Sequence, residues 1–370
     1  MVNHGRLSGG VSGNNPYPPT VRQSSNGSVK VRGVNRLRYI AATAAVLVVA
    51  AGCGNGGGDP AKSARTHVRA AHDLAVTLHF SDPDGSLMHE MTTGSDPAPR
   101  ATADAIEHGT ITFEISSTDG KPVLAHRLAR TSLADQVKEF NLDIEVHVRG
   151  TTLGALRVVN GVLYGTADLD AIDALAKASG GDDFLAHVPP QISQLVSDLR
   201  HGEWVQLPLA SYLDVAQGYL PRQVTPAGIS RTYARMVGLV GRDTTVTTTS
   251  TSGNDETQRV TLDWRRLLKD EAAALASVLP GGAIPSDADA EIDRTFTARA
   301  VQATLKIADG HYQSLTVPME QFTKLAAKPT GRVPSFGAAA VVVGINDRPA
   351  PVVAPTKVSS FRLGQLFGLG

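Results

Sequence analysis

The sequence is short of cysteine, of aromatic residues and of net charge. Its single cysteine cannot form an intramolecular disulfide, so stability must come from an apolar core, for which 370 residues at 42% hydrophobic content suffice. The 35 basic residues equal the 35 acidic ones, so no net field favours nucleic acid. Aromatic residues make up 5% of the chain, too few for an extended base-stacking platform. We therefore exclude a disulfide-stapled scaffold and expect no nucleic-acid partner.

The sequence also lacks the patterns that mark common catalytic sites. It has neither a G-x-S-x-G nucleophile elbow nor a P-loop. The only thiol, that of Cys53, lies in a pattern typical of lipid attachment, which leaves no cysteine nucleophile. We expect a protein that is not an enzyme, with no catalytic residues and no cofactor.

Four histidines close together in the sequence are the candidates for a metal site. They are His67, His72, His79 and His89. A zinc pair on one helix needs a spacing of three or four residues, whereas His67 and His72 are five apart and point away from each other. We interpret them as scattered, solvent-facing histidines and predict no metal site.

Residues 1–52 are typical of a disordered N-terminus followed by an export signal. The first 35 residues are polar and rich in Gly, Ser, Asn and Pro. Arg36 and Arg38 then precede an uncharged run of 13 residues, 39–51, which is the signal-peptide pattern. As a helix this run would span about 20 Å, less than a hydrocarbon core of about 30 Å. The pattern favours a cleaved signal over a permanent membrane span.

The apolar run ends in Ala50-Ala51-Gly52-Cys53, which resembles a bacterial lipobox. Small residues let the bond between Gly52 and Cys53 enter a narrow protease site, and the thiol of Cys53 accepts diacylglycerol. Ala50 stands where leucine is usual, and an ordinary secretory peptide with a chance cysteine is the alternative. We expect acyl chains such as palmitate on Cys53, and two or more of them hold a protein stably to a bilayer. Residues 53–60 would be a flexible tether on the extracytoplasmic face of the cell membrane.

Apolar residues alternate with polar ones in several segments, which predicts antiparallel strands with one apolar face. The segment 140–149 has the clearest period of two, and Asn160-Gly161 and Asp309-Gly310 are typical of tight hairpin turns. These apolar residues are the candidate lining of a cavity, and their alternative role is to fill a dry core. The candidates are Ile111, Phe113, Ile115, Phe140, Leu142, Ile144, Val146, Val148, Val260, Leu262 and Trp264.

The order of elements is a β group, a mostly helical middle and a second β group. Helices are predicted at 61–73, 168–178, 191–199, 210–219, 226–240 and 265–279, whereas 82–108 is expected to be irregular. We predict one α+β domain over 61–355, with a C-terminal tail at 356–370. The two β groups share one sheet or form two half-domains of similar build.

The lipobox, the glycine-rich tether, the opening helix and the strand 74–81 occur in an order that resembles a known family. The strand 140–149, the hairpin around Asn160-Gly161 and the following Gly202-Glu203-Trp204-Val205 continue it. The chain looks like actinobacterial lipoproteins of the LppX/LprG kind, which share the LolA-like fold. The resemblance implies a curved antiparallel sheet, an incomplete β-barrel, that wraps helices and holds acyl chains between them. This chain has an enlarged helical middle compared with that family.

Two functions of different classes are compatible with these patterns. The first is a membrane-anchored envelope lipoprotein that binds or carries lipid or glycolipid in an apolar cavity, as the resemblance implies. The second is a structural or interaction lipoprotein with a filled core that docks an envelope protein partner. Empty volume beside the alternating strands distinguishes the first from the second.

Overall fold

A computed structural model describes most of the chain from Gly58 onward, so that the first helix begins within the last residues of the predicted tether 53–60. The described residues are 58–94, 97–126, 138–183, 185–186, 188–207, 242–276, 290, 292–293, 300–323 and 334–360. The predicted signal peptide, the lipobox with Gly52 and Cys53, and the helices predicted at 210–219 and 226–240 lie outside the described residues.

The described residues form seven α-helices and twelve strands. The helices are α1 Asp59–Ala70, α2 Ser86–Thr93, α3 Arg100–Glu107, α4 Leu169–Ala178, α5 Ser193–Arg200, α6 Trp264–Ala276 and α7 Glu320–Thr323. The strands are β1 Asp73–Ser81, β2 Gly109–Ser117, β3 Phe140–Val148, β4 Thr151–Val159, β5 Val162–Ala167, β6 Trp204–Leu207, β7 Thr244–Ser252, β8 Asp255–Asp263, β9 Ala300–Ala308, β10 His311–Pro318, β11 Ala340–Asn346 and β12 Val358–Ser360. Short 3-10 helices occupy Val123–Ala125 and Pro190–Ile192.

All twelve strands belong to one open, curved sheet. Its strand order is β12-β6-β5-β4-β3-β2-β1-β11-β10-β9-β8-β7, and every neighbouring pair is antiparallel except β12 with β6. Strand β1 pairs with both β2 and β11, so the two β groups share one sheet. The predicted α+β class and mostly antiparallel sheet are confirmed. Much of the enlarged helical middle falls outside the described residues and stays a prediction.

The hairpin turns form where the sequence predicts them. Asn160 and Gly161 both have positive φ, at 52° and 77°, and Asp309 and Gly310 repeat the arrangement at 51° and 69°. Two consecutive positive φ values match the right-handed twist of the flanking strands.

The region expected to be irregular contains two helices of eight residues, α2 and α3. Both carboxylate oxygens of Asp82 accept hydrogen bonds from the first turn of α2, from Leu87 N at 3.1 Å and Met88 N at 3.0 Å. Pro99 is the N-cap of α3, where its missing N–H costs nothing. The expectation was wrong because each helix is short enough to fit between the turn residues and prolines.

The main core lies on one face of the sheet, which we call the inner face. Ala61 and Ala64 of α1 and Leu87 of α2 are fully buried against it. We call the inner face of β8 to β11 the packed half, because ten of its apolar side chains are at most 2% exposed. They are Val260, Leu262, Val301, Ala303, Leu305, Ile307, Leu315, Val317, Val341 and Val343. No helix in the described part of the chain is both long enough and apolar enough to cross a bilayer.

Candidate functional site

The inner face continues as an apolar surface from the packed half to the other side of the sheet. Residues directly opposite each other in paired strands share a face, so the register defines rows across it. One row consists of Val76, Phe113, Ile144, Leu156, Gly165 and Val205. The next row consists of Leu74, Ile115, Leu142, Val158 and Leu163.

The part of this face on β2 to β5 is exposed, and we call it the open half. Phe113 is 45% exposed, Leu156 50% and Val146 37%, whereas Val260 and Leu262 of the packed half are 0% exposed. All members of the open half are at least partly exposed. They are Ile111, Phe113, Ile115, Leu142, Ile144, Val146, Leu156, Val158 and Leu163.

Two glycines lie opposite exposed side chains of the open half, where neighbouring atoms approach closely. Gly165 faces Leu156 in the register, and a Cβ at Gly165 would lie 3.5 Å from Leu156 Cδ2. Gly154 faces Val146, and a Cβ there would lie 3.3 Å from the Thr166 carbonyl oxygen.

The opposite, outer face of the same strands carries charge. Glu114, Asp143, Arg157 and Tyr164 form a cross-strand row. Arg157 Nε donates to Asp143 Oδ2 at 2.7 Å, and the guanidinium lies 4.7 Å from the centre of the Trp204 ring. Burial raises the pKa of Asp143, and this effect exceeds that of the hydrogen bonds from Arg157, which lower the pKa. Burial likewise raises the pKa of Glu114, with the charges of Asp143 and Glu145 adding to it.

A C-terminal strap, residues 348–357, lies over part of this charged face. Val352 N donates to Ser116 Oγ at 2.9 Å, and Asn141 Nδ2 donates to the Val352 carbonyl at 3.1 Å. Val352 itself is 5% exposed, and Asp143 beneath the strap is 4% exposed. On these strands the strap thus covers part of the charged face, whereas much of the apolar face is exposed.

The N-terminal end of α1 is held on the packed half by a buried carboxylate. Glu256, 2% exposed, accepts hydrogen bonds from Gly58 N at 3.2 Å and from Gln258 Nε2 at 2.8 Å. Burial raises the pKa of Glu256, but hydrogen bonds from Thr248 and Gln258 outweigh it and lower the pKa below its ordinary value. Gly58 is five residues after Cys53, so covalent geometry limits their Cα separation to about 18 Å.

The structure divides the candidates from the sequence between the two halves. Ile111, Phe113, Ile115, Leu142, Ile144 and Val146 lie in the open half. Val148 is half-buried near the end of β3, and Phe140 is 5% exposed against the ring of His126. Val260, Leu262 and Trp264 belong to the packed core, so we leave them out of the candidate site.

Sequence reasoning missed three members of the open half on β4 and β5. Leu156, Val158 and Leu163 pair directly with Ile144, Leu142 and Val158 respectively. The hairpin signal at Asn160-Gly161 identifies the segment 153–159 as a strand, and extending the period-two test along it would have added Leu156 and Val158.

Comparison with known proteins gives no basis for assigning a function. No protein-family model matches the chain, and no curated protein matches it. The structure matches the crystal structure of lipoprotein LppX from Mycobacterium tuberculosis, which is 9% identical, over 84% of this chain and 98% of that one. This match confirms the resemblance that the sequence indicated, but its TM-score is 0.27. At that score the likeness says nothing about function, which has to be inferred from the residues of this chain.

Proposed function

We propose that this chain is a lipid-anchored envelope protein that binds the acyl part of a lipid along the open half of its inner face. The observation that carries the proposal is the pair of faces on β2 to β4, where the strap covers part of the charged face and apolar side chains up to 50% exposed remain on the other. The role is binding or carriage of lipid, without catalysis.

The free energy of apolar contact supports an apolar ligand. Exposed apolar surface costs roughly 25 cal/mol per Å², and each ligand CH₂ removed from water contributes about 0.8 kcal/mol. Contiguous exposed apolar surface commonly marks a binding site. Phe113, Leu156 and Val146 lie on neighbouring strands and can contact one ligand together.

The predicted anchor supports the same proposal by placing the domain beside its ligand. With lipid on Cys53, the short tether to Gly58 keeps the folded domain within about 18 Å of the attachment point. A protein held this close to the extracytoplasmic face of the membrane meets lipid at high local concentration.

Binding of a fluorescent fatty acid by the full-length protein tests the proposal. Leu156→Asp places a charge in the open half and should abolish binding, because an acyl chain cannot compensate the desolvation of a carboxylate. The matched control is Leu124→Asp, since Leu124 is also exposed, at 58%, but lies on the 3-10 helix outside the open half. Equal binding by both variants would contradict the proposal.

Native mass spectrometry of protein made in its own host gives a second test. Co-purifying lipid that is absent from Leu156→Asp supports lipid binding. A lipid-free protein that instead retains one envelope protein, lost in Leu156→Asp, would assign the open half to docking of a protein partner and overturn the proposal.

A further inference from the structure

The helix α1, which directly follows the tether, carries its positive charges on a single face. Lys62, Arg65 and Arg69 follow one another at spacings of three and four residues. At 3.6 residues per turn these side chains lie within about 60° of one another around the helix axis. The face of α1 that packs into the core is built instead on Ala61 and Ala64, which are fully buried. We call Lys62, Arg65 and Arg69 the basic stripe.

The basic stripe is open to solvent and is only partly balanced by acidic charge. The Lys62 side chain is 65% exposed, Arg69 is exposed and Arg65 is half-buried. Asp59, the acidic residue of α1, lies 3.1 Å from Lys62, but its side chain is 95% exposed, and ion pairs so open to water contribute little to stability. With three basic residues against one acidic residue, the helix has a net positive charge.

Contacts along α1 fix the direction in which the basic stripe points. At the start of the helix, Gly58 N donates to the Glu256 carboxylate of β8 at 3.2 Å. In its last turn, His67 Nδ1 lies 2.9 Å from the Gly310 carbonyl oxygen in the β9–β10 turn, and the His67 ring stacks on that of His311. The helix is therefore held at both ends, and it cannot rotate the stripe toward the core without breaking these contacts.

The predicted lipid anchor lies close to the basic stripe. Gly58 is five residues after Cys53, so the first turn of α1 begins within about 18 Å of the lipidated cysteine. From Lys62 to Arg69 the stripe extends roughly 10 Å along the helix axis. This length exceeds a single phosphate group and fits a row of headgroups on a surface. Anionic headgroups complement the charge of the stripe, and they attract basic residues that come within a Debye length of them.

We propose that the basic stripe of α1 docks on anionic lipid headgroups of the bilayer that holds the Cys53 anchor. This inference rests on the anchor that the proposed function includes, but not on acyl binding by the open half. Lipid on Cys53 alone leaves the domain free to swing on its tether. A second contact along α1 fixes the orientation of the sheet relative to the membrane.

Amine footprinting of the lipid-anchored protein, purified from its host membrane, tests the docking. The protein is placed in vesicles of phosphatidylcholine with phosphatidylglycerol or of phosphatidylcholine alone, so that the anchor is the same in both. Acetylation of Lys62 should be several-fold slower on the anionic vesicles, and high salt should remove the difference. Lys306 is the internal control, because it is also exposed but lies on the outer face of β9.

Charge reversal at two arginines gives a matched pair of variants. Each basic residue near an anionic surface contributes about fivefold to binding. Arg69→Glu should therefore speed transfer of the protein from anionic vesicles to acceptor vesicles by at least about fivefold, without a change from neutral vesicles. Arg259→Glu makes the same change in charge at an exposed position on the outer face of β8, and it should leave both rates unchanged.

Four outcomes would overturn the docking. They are equal acetylation of Lys62 on the two kinds of vesicle, protection that survives high salt, equal acceleration by Arg69→Glu and Arg259→Glu, and protection of Lys62 by inorganic phosphate without vesicles. Fatty-acid binding should be the same in Arg69→Glu and the unaltered protein, so docking and acyl binding can fail separately. The mass of the purified protein shows whether Cys53 carries lipid, and its absence would overturn the anchor together with the docking.

Discussion

Alanine substitutions at Leu156 and Leu262 should have opposite effects on stability and on binding. Both leucines lie on the inner face of a strand that is paired on both sides, but Leu156 is 50% exposed and Leu262 is 0% exposed. Full burial of a leucine contributes about 1.5–3 kcal/mol, so the half-exposed Leu156 contributes only about 1 kcal/mol to the free energy of unfolding.

Truncation of the fully buried Leu262 should lower the free energy of unfolding far more. Leu→Ala in a packed core costs about 2–5 kcal/mol, because it removes apolar contact and leaves a cavity. Leu262 lies in the packed core with Val260 and Val301, and Val301 faces it directly in the register. We therefore expect Leu262→Ala to exceed Leu156→Ala in destabilisation by about 1–4 kcal/mol.

The assay is urea unfolding in parallel with fluorescent fatty-acid binding. Leu156→Ala should shift the unfolding midpoint little and weaken binding, whereas Leu262→Ala should shift the midpoint strongly and bind normally once folded. Unchanged slopes of the unfolding curves would show that the shifts reflect stability. Equal destabilisation by the two variants would show that Leu156 is packed, and the open half would then be part of the core.

The predicted anchor and two carboxylates of the sheet, Glu114 and Glu256, can each be tested by one substitution. Cys53→Ser should abolish incorporation of a labelled palmitate analogue and move the protein from the membrane to the soluble fraction; retention on the membrane without label would contradict the lipobox. Glu114→Gln should raise the free energy of unfolding at pH 7, because the raised pKa of Glu114 means that folding disfavours its charged form. In urea titrations this gain should shrink as pH falls through the raised pKa and vanish below the ordinary value of 4.5. Glu256→Gln should lower the free energy of unfolding at pH 7, because the lowered pKa of Glu256 means that the fold favours its charged form. This loss should disappear as pH falls through the lowered pKa. A loss that does not change with pH would assign the effect to packing.

The strands and turns were predictable because their signals are local. Alternation in 140–148 places Leu142, Ile144 and Val146 on one face whatever the rest of the chain does, since successive side chains of a strand point to opposite faces. Asn160-Gly161 forms its turn because these residues tolerate the positive φ values that the turn requires. The helices α2 and α3 were missed, because elements of eight residues between prolines are too short for a clear period.

The candidate site, in contrast, required the tertiary structure. Phe113 and Val260 both lie in segments where apolar and polar residues alternate, yet Phe113 is 45% exposed and Val260 is 0% exposed. The difference arises because side chains from distant elements, including Ala61, Ala64 and Leu87, are buried with the packed half in one core. The contact of His67 with the distant His311 likewise depends on long-range strand pairing. Local sequence determines which way a side chain points, but only the assembled chain determines what lies opposite it.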